Sequence, residues 1–302
     1  MFDFLINRIR QLGVRHGPVL LAALCLPVVA SADMFTRDHG GPPEERGVLR
    51  VCADPNSPPF SMADESGFEN RLAELIAEDL GLPLEYTWYP QRFGYTRATI
   101  RRWLEEEGRY RCDVLMGVPQ QASGFSTTTP YYHSTHVVVF PKDSGLELKQ
   151  ASDLLALDAQ TQSRIRIGAF DRSPATDWLI RNGLRSNIKG YILADGDLSF
   201  YAGKIIEDDL MNGTIDVAII WGPIAGYFAA KVEKEMVLLP LQSAPGAQFD
   251  YPVSIGVRAG DHEMLRPLQV ALRNNQEKVE ALIEEYNLYT VEDPRRARRT
   301  TR

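Results

Sequence analysis

Few of the chain's reactive side chains stand at spacings that catalysis uses. His133 and His136 are three residues apart. On a strand, whose side chains alternate, they point to opposite faces and would not share a metal ion. There is no Gly-rich dinucleotide fingerprint, no phosphate loop and no HExxH. No Ser/His/Asp arrangement is readable, and most of the acids fit solvated helix faces. The expectation is a protein with no catalytic group, no metal and no cofactor.

What remains is the chemistry of binding. Ligands of open α/β sheets sit beyond the carboxyl ends of the strands, and four loops starting at Asp54, Gly117, Phe170 and Trp221 fit that place. The first carries Asp54, Asn56 and Phe60. The third carries Asp171, Arg172 and Ser173 ahead of a helix, whose free N–H groups could hold an anion; plain capping by Ser173 is the competing reading. Trp88, Arg92, Phe93, Tyr95, Phe125, Tyr131, Tyr132 and Trp221 fall near strand ends or in loops. An aromatic-lined cleft would favour an apolar guest or a protein segment over a small ion. Packing in the core or rim explains the same rings. Trp221 is the sharpest case, because DVAII runs into Trp221, Gly222 and Pro223. It faces a cleft or turns back into the core.

The elements that would position these groups alternate. VLRVCAD (48–54) reads as a strand ended by Asp54-Pro55. Phe68, Leu72, Leu75, Ile76 and Leu80 form one helical stripe, with Gly81 where a C-terminal cap belongs. LPLEYTWYP (82–90) is strand-like, Tyr95 to Glu107 is expected as a helix, and CDVLMGV (112–118) as a buried strand. HVVVFP (136–141) is the next strand. A second run follows, with RIGAF (166–170), a helix from Pro174 to Asn182, YILAD, a helix from Ser199 to Asn212, and DVAII. DYPVSIGVR (250–258) returns as a strand, and one long helix is expected from Met264 to Glu285. Strands alternating with helices argue for α/β sheets covered on both faces. One strand going out and one coming back suggest two lobes, a two-strand hinge and a cleft, against two tandem domains. The last helix finds a sheet to cover only on the first unit.

The chain has 302 residues, is 44% hydrophobic and 24% charged, and carries a net charge of -7. This is a soluble globular composition with nucleic acid excluded as a partner for the body. Arg8, Arg10 and Arg15 precede PVLLAALCLPVV and Ala30-Ser31-Ala32, the pattern of a signal peptide over 1–32. The apolar run is too short for a comfortable membrane span, so none is expected in the mature protein. A membrane anchor, or a lipid on Cys25, is the competing reading. Export would leave Cys52 and Cys112 as a disulfide candidate. They fall on the first and third strands, which such sheets commonly place side by side; two buried thiols remain the alternative. Residues 33–46 read as a linker and 291–302, rich in arginine, as a disordered basic tail.

LRVCADPNSPPFS, GFENRLAELIAEDLG, YTWYPQR, CDVLMGVP and TTTPYYHSTHVVV resemble the type II periplasmic solute-binding fold, from about Val48 to Tyr286. The nearer resemblance is to the quinoprotein-dehydrogenase-associated (MxaJ/XoxJ) branch, the J component encoded beside periplasmic methanol dehydrogenases. It implies a periplasmic, non-enzymatic protein with one lobe from 47–137 plus 248–290 and the other from 138–247. In amino-acid-binding relatives an arginine after the third strand holds the ligand carboxylate. The matching stretch here, VPQQASGFSTTTPYY, has none. An acid in the relatives' second lobe holds the ligand amino group; Trp221 takes its place. The resemblance therefore implies an accessory role towards the dehydrogenase large subunit, whose own groups are PQQ with calcium or a lanthanide, in assembly, maturation or activation. The alternatives are an importer's receptor for an aromatic or apolar solute, and an enzyme on the same scaffold, as a few relatives are dehydratases.

Overall fold

The computed structural model describes residues 39–192 and 197–292. The signal peptide, Cys25, the start of the linker and the tail beyond Glu292 lie outside the described residues. The first half holds β1 (Leu49–Ala53), α1 (Phe68–Leu80), β2 (Leu84–Trp88), β3 (Val114–Pro119), β4 (Phe125–Thr127) and β5 (Tyr132–Pro141). The second holds β6 (Ile167–Phe170), α2 (Pro174–Arg181), β7 (Ile188–Tyr191), β8 (Val217–Trp221), α3 (Gly222–Ala229) and β9 (Met236–Pro240). The chain then returns through β10 (Asp250–Arg258) and closes with α4 (His262–Asn274) and α5 (Gln276–Glu285).

Hydrogen bonding runs in the order β7-β6-β8-β5-β10-β3-β1-β2. β1 lies parallel to both β2 and β3, and β6 parallel to β7 and β8. The long strands cross between the halves. Tyr132 to Thr135 of β5 pair with β10, whereas His136 to Val139 of the same strand pair with β8. β10 answers in reverse, since its first residues pair with β5 and its later ones with β3. These are the two hinge strands of a two-lobed α/β fold.

Each half has its own core. Leu49, Val51, Leu72, Ile76, Val114, Ile255 and Val257 pack with Leu268, Leu272 and Val279 of the last helices. The closing helices thus cover the first sheet, as the missing sheet of their own required. In the second half, Val138, Phe140, Ile167, Leu179, Val217 and Ile219 form one face of the sheet. Val137, Val139, Ala218 and Ile220 point the other way, against Ile205, Ile206 and Phe228. That alternation is the strand period made visible. Cys52 and Cys112 are bonded, with Cα atoms 5.5 Å apart, because Cys52 pairs in register with Leu115 on the neighbouring strand.

Four expectations change. Tyr95 to Glu107 is no helix. A turn at Tyr95–Ala98 gives way to a short ladder of Trp103–Leu104 against Arg109–Tyr110. Gly108 turns it at φ 60°, and Trp103 meets Tyr110 edge-on at 5.0 Å; cross-strand aromatic packing outweighs the helical spacing. The helix expected over 264–285 breaks at Asn275, whose side chain donates to the Ala271 carbonyl at 3.0 Å and to Asp79 at 3.1 Å. Regular turns in the stretch from Ser199 to Asn212 are confined to a wide helical coil at Ile205–Leu210. The linker is tied down at its end. Arg46 pairs with Asp261 at 2.7 Å and with Asp113 at 3.1 Å. Arg258 joins both acids.

Candidate functional site

Beyond the carboxyl ends of β1 and β3, against the hinge, lies a cavity of about 260 Å³. The first half supplies most of its wall, β5 and β10 supply Tyr132 and Tyr251, and Trp221 comes from the end of β8. Tyr131 and Tyr132 follow Pro130 at the start of β5; Tyr132 lines the cavity, the two rings meet edge-on at 5.1 Å, and both pack against Phe68. Trp221 is held by rings on two sides, His136 at 5.4 Å and Tyr251 at 6.0 Å. It also donates a hydrogen bond to Tyr132. Its wall position, not a core position, is therefore what the fold selects.

Gly222 and Pro223 sit behind Trp221, buried at the start of α3. A Cβ at Gly222 would stand 2.6 Å from both Ser134 Oγ and the Thr135 carbonyl. Glycine there lets the helix approach the hinge strand. These two residues support the wall and do not line the cavity.

Asp54 ends β1 and lines the cavity. Its carboxylate accepts from the backbone N–H of Asn56 at 2.8 Å and of Gln91 at 2.5 Å, so it pins two loops together. Asn56 and Arg92 do not line the cavity; each bonds across to residues 197–200. The Asn56 amide donates to the Leu198 carbonyl at 2.9 Å. The Arg92 guanidinium donates to the Asp197 carbonyl at 3.2 Å and to the Phe200 carbonyl at 3.4 Å. Both therefore latch the first half to the second. Phe93, beside Arg92, is 94% exposed.

Other expected residues stand elsewhere. Trp88 stacks on Tyr86 at 4.6 Å, away from the cavity. Asp171 and Arg172 are exposed, and Arg172 takes a left-handed backbone at φ 59°. Ser173 Oγ accepts from the Thr176 N–H at 3.2 Å. That is ordinary capping, which consumes a helix-terminal donor instead of offering it to an anion. Phe125 lies under Arg101 at 5.6 Å. The two histidines part as expected: His133 meets Asp250 at 2.8 Å, and His136 meets the Phe249 carbonyl at 3.0 Å. Burial lowers the pKa of His136. No cluster of three metal-ligating side chains occurs among the described residues, and no described helix is long and apolar enough to cross a membrane.

The residue that sequence reading missed is Glu69. It lies in the first turn of α1 and lines the cavity. An acid there reads as an ordinary complement to the helix dipole. Its carboxyl receives one hydrogen bond, from the Tyr131 hydroxyl at 3.4 Å, and that hydroxyl in turn accepts from the Gly117 N–H. Burial pushes its pKa up to about 8, against the lowering effect of Tyr131. Gly117, at φ 70°, leaves room for it: a Cβ would sit 2.7 Å from Glu69 Oε1. The available signal was the pairing of a glycine in a strand with an acid beside Phe68.

Residues 49–288 match the model of the bacterial extracellular solute-binding proteins, family 3. The protein MoxJ of Methylorubrum extorquens is 26% identical over 282 residues, 88% of this chain and 89% of that one. The crystal structure of the periplasmic binding protein XoxJ from Methylobacterium extorquens AM1 is 31% identical with a TM-score of 0.63, covering 82% of this chain and 100% of that one. The MxaJ crystal structure from Methlophaga aminisulfidivorans MPT shares the fold at 22% identity and a TM-score of 0.67, covering 81% of this chain and 100% of that one.

Proposed function

The chain belongs to family 3 of the bacterial extracellular solute-binding proteins and is of the MxaJ/XoxJ type, and from that premise we propose that it is a periplasmic, non-enzymatic accessory protein of a PQQ-dependent methanol dehydrogenase. It binds the dehydrogenase large subunit, or an immature form of it, and aids assembly, maturation or activation. The lobes run from 47–137 plus 248–290 and from 138–247.

The mouth of the cleft carries this reading. Phe93 is 94% exposed and Leu198 57%, and each flanks the polar latch formed by Arg92 and Asn56. Two exposed apolar side chains beside a polar latch offer a partner protein apolar area to bury. The missing carboxylate anchor that the resemblance implies adds to it, since an amino acid would leave its carboxylate unmatched.

Tagged protein should retain the dehydrogenase large subunit in a pull-down run with and without cofactor and metal. Phe93→Ser should weaken that retention. No retention under any condition overturns the reading. The cavity favours a second reading, an importer's receptor for an aromatic or apolar solute, and a permease and ATPase encoded alongside the chain would point that way.

A further inference from the structure

The cavity wall is an unusual mixture. Phe60, Tyr95, Tyr132, Trp221 and Tyr251 supply five rings, and Glu69 supplies a carboxyl group. Asp54 adds a second acid whose oxygens are held by backbone N–H groups. Among the described residues no lysine, arginine or histidine lines the space, and Glu69 has no ion-pair partner. A half-buried carboxylate set among aromatic rings without a counter-ion either keeps its proton or takes a cation from outside.

The wall also decides which cation. An inorganic ion asks for several oxygen ligands converging in a shell; the wall's carboxylates are Asp54 and Glu69, Asp54 is already held by backbone N–H groups, and no three metal-ligating side chains converge among the described residues. An amino acid brings a carboxylate that no residue here neutralises. An alkylated ammonium asks for what is present, ring faces around its methyl groups and one anionic partner. Gly117 keeps the path from Glu69 to the cavity open.

We propose that this cavity binds a small organic ammonium ion lacking a carboxylate, with Glu69 as its counter-ion and the surrounding rings as its cage. The cation enters with one positive charge, and the Glu69 proton leaves to solvent with another, so the buried charge stays balanced. The groups facing Glu69 are Tyr131 and Tyr132 from β5, Tyr95 and Tyr86 from the first half, and Asp54 after β1. Burial raises the tyrosines further from neutrality, so Glu69 is the group that titrates in the working range. Affinity should rise with pH until about pH 8. The proposal does not rest on the accessory role, and a dehydrogenase pull-down leaves it untouched.

Choline chloride is the first probe, titrated calorimetrically into the purified protein against its neutral isostere 3,3-dimethylbutan-1-ol. Choline should bind about tenfold or more tightly than the isostere, a difference of roughly 1.4 kcal/mol. Its apparent enthalpy should differ between phosphate and Tris buffers, reporting the released proton. Methylammonium and tetramethylammonium repeat the test at smaller sizes. Glu69→Gln, checked for a cooperative melt, should lose the preference for the cation and the buffer dependence. Trp221→Leu should weaken choline while keeping the buffer dependence. Equal or tighter binding of the isostere overturns the proposal, as does a Glu69→Gln protein that keeps the preference. Absence of binding by all three cations at about 10 mM overturns it too.

Discussion

Replacing Glu69 with glutamine should make the folded protein less sensitive to pH. The glutamic acid pKa is pushed from 4.5 up to about 8 by burial. Below pH 4.5 the group is protonated whether the chain is folded or not, and its contribution is intact. Between pH 4.5 and about 8 the unfolded chain releases the proton while the folded protein holds it. The unfolded state then binds fewer protons, so stability falls as pH rises. Each pH unit in that window costs about 1.4 kcal/mol, so moving from pH 5 to pH 7.5 costs about 3 kcal/mol. Water entering the cavity would solvate the carboxylate and bring the figure towards about 2 kcal/mol. The amide of glutamine keeps the Tyr131 contact and does not titrate. Urea unfolding of both proteins at several pH values gives the difference directly, and the other titrating groups cancel in it. The expected result is that Glu69→Gln gains about 2–3 kcal/mol on the native protein between pH 5 and pH 7.5. Parallel stability curves across that window would refute the account of Glu69 as a buried, uncompensated acid.

Replacing Cys52 and Cys112 by alanine should remove about 4 kcal/mol, because the bond closes a loop of about 60 residues in the unfolded chain; the denaturant midpoint falls and the slope steepens. Gly222→Ala should cost about 1–3 kcal/mol by overpacking, since two of the three clashing atoms are backbone oxygens that cannot turn away; urea midpoints read it. Arg46→Met should cost about 3 kcal/mol, as it strips a partner from the buried Asp261. The exposed Arg166–Asp216 pair offers the contrast: Arg166→Met should cost under about 1 kcal/mol. Equal losses for the two arginines would sink the distinction between buried and exposed pairs.

Much of the frame was legible because it rests on short-range rules. The stripe of Phe68, Leu72, Ile76 and Leu80 fixes a helix, and Gly81 caps it at φ 65° as its position suggested. The short apolar runs at β1, β3, β5 and β8, bounded by turn residues or rich in β-branched side chains, read as strands and are strands. Asp54, Phe60, Tyr132 and Trp221 were reached by asking which groups follow strand ends, and they line the cavity. The stretch from Tyr95 to Glu107 misled because its apolar spacing also suits a short ladder, and only the edge-on meeting of Trp103 and Tyr110 decides between them. Asn275 could not be read as a break, since its bond to Asp79 comes from another helix. Asp171 and Ser173 were reasonable candidates at a helix start, but their turn faces solvent.

By itself the sequence determined the α/β order, the pattern of one strand going out and one coming back, and the candidate cysteine pair. Those follow from residue type and period, which act over a few residues and do not need the rest of the chain. The tertiary structure alone decided that Trp221 faces a cavity, that Arg46 is buried, and that the Glu69 carboxyl meets the Tyr131 hydroxyl with no ion-pair partner among the described residues. Burial, desolvation and charge pairing depend on what lies within a few ångströms. In this fold those neighbours come from β1, α1, β5, β8 and β10, which are far apart in sequence and meet only in the folded chain.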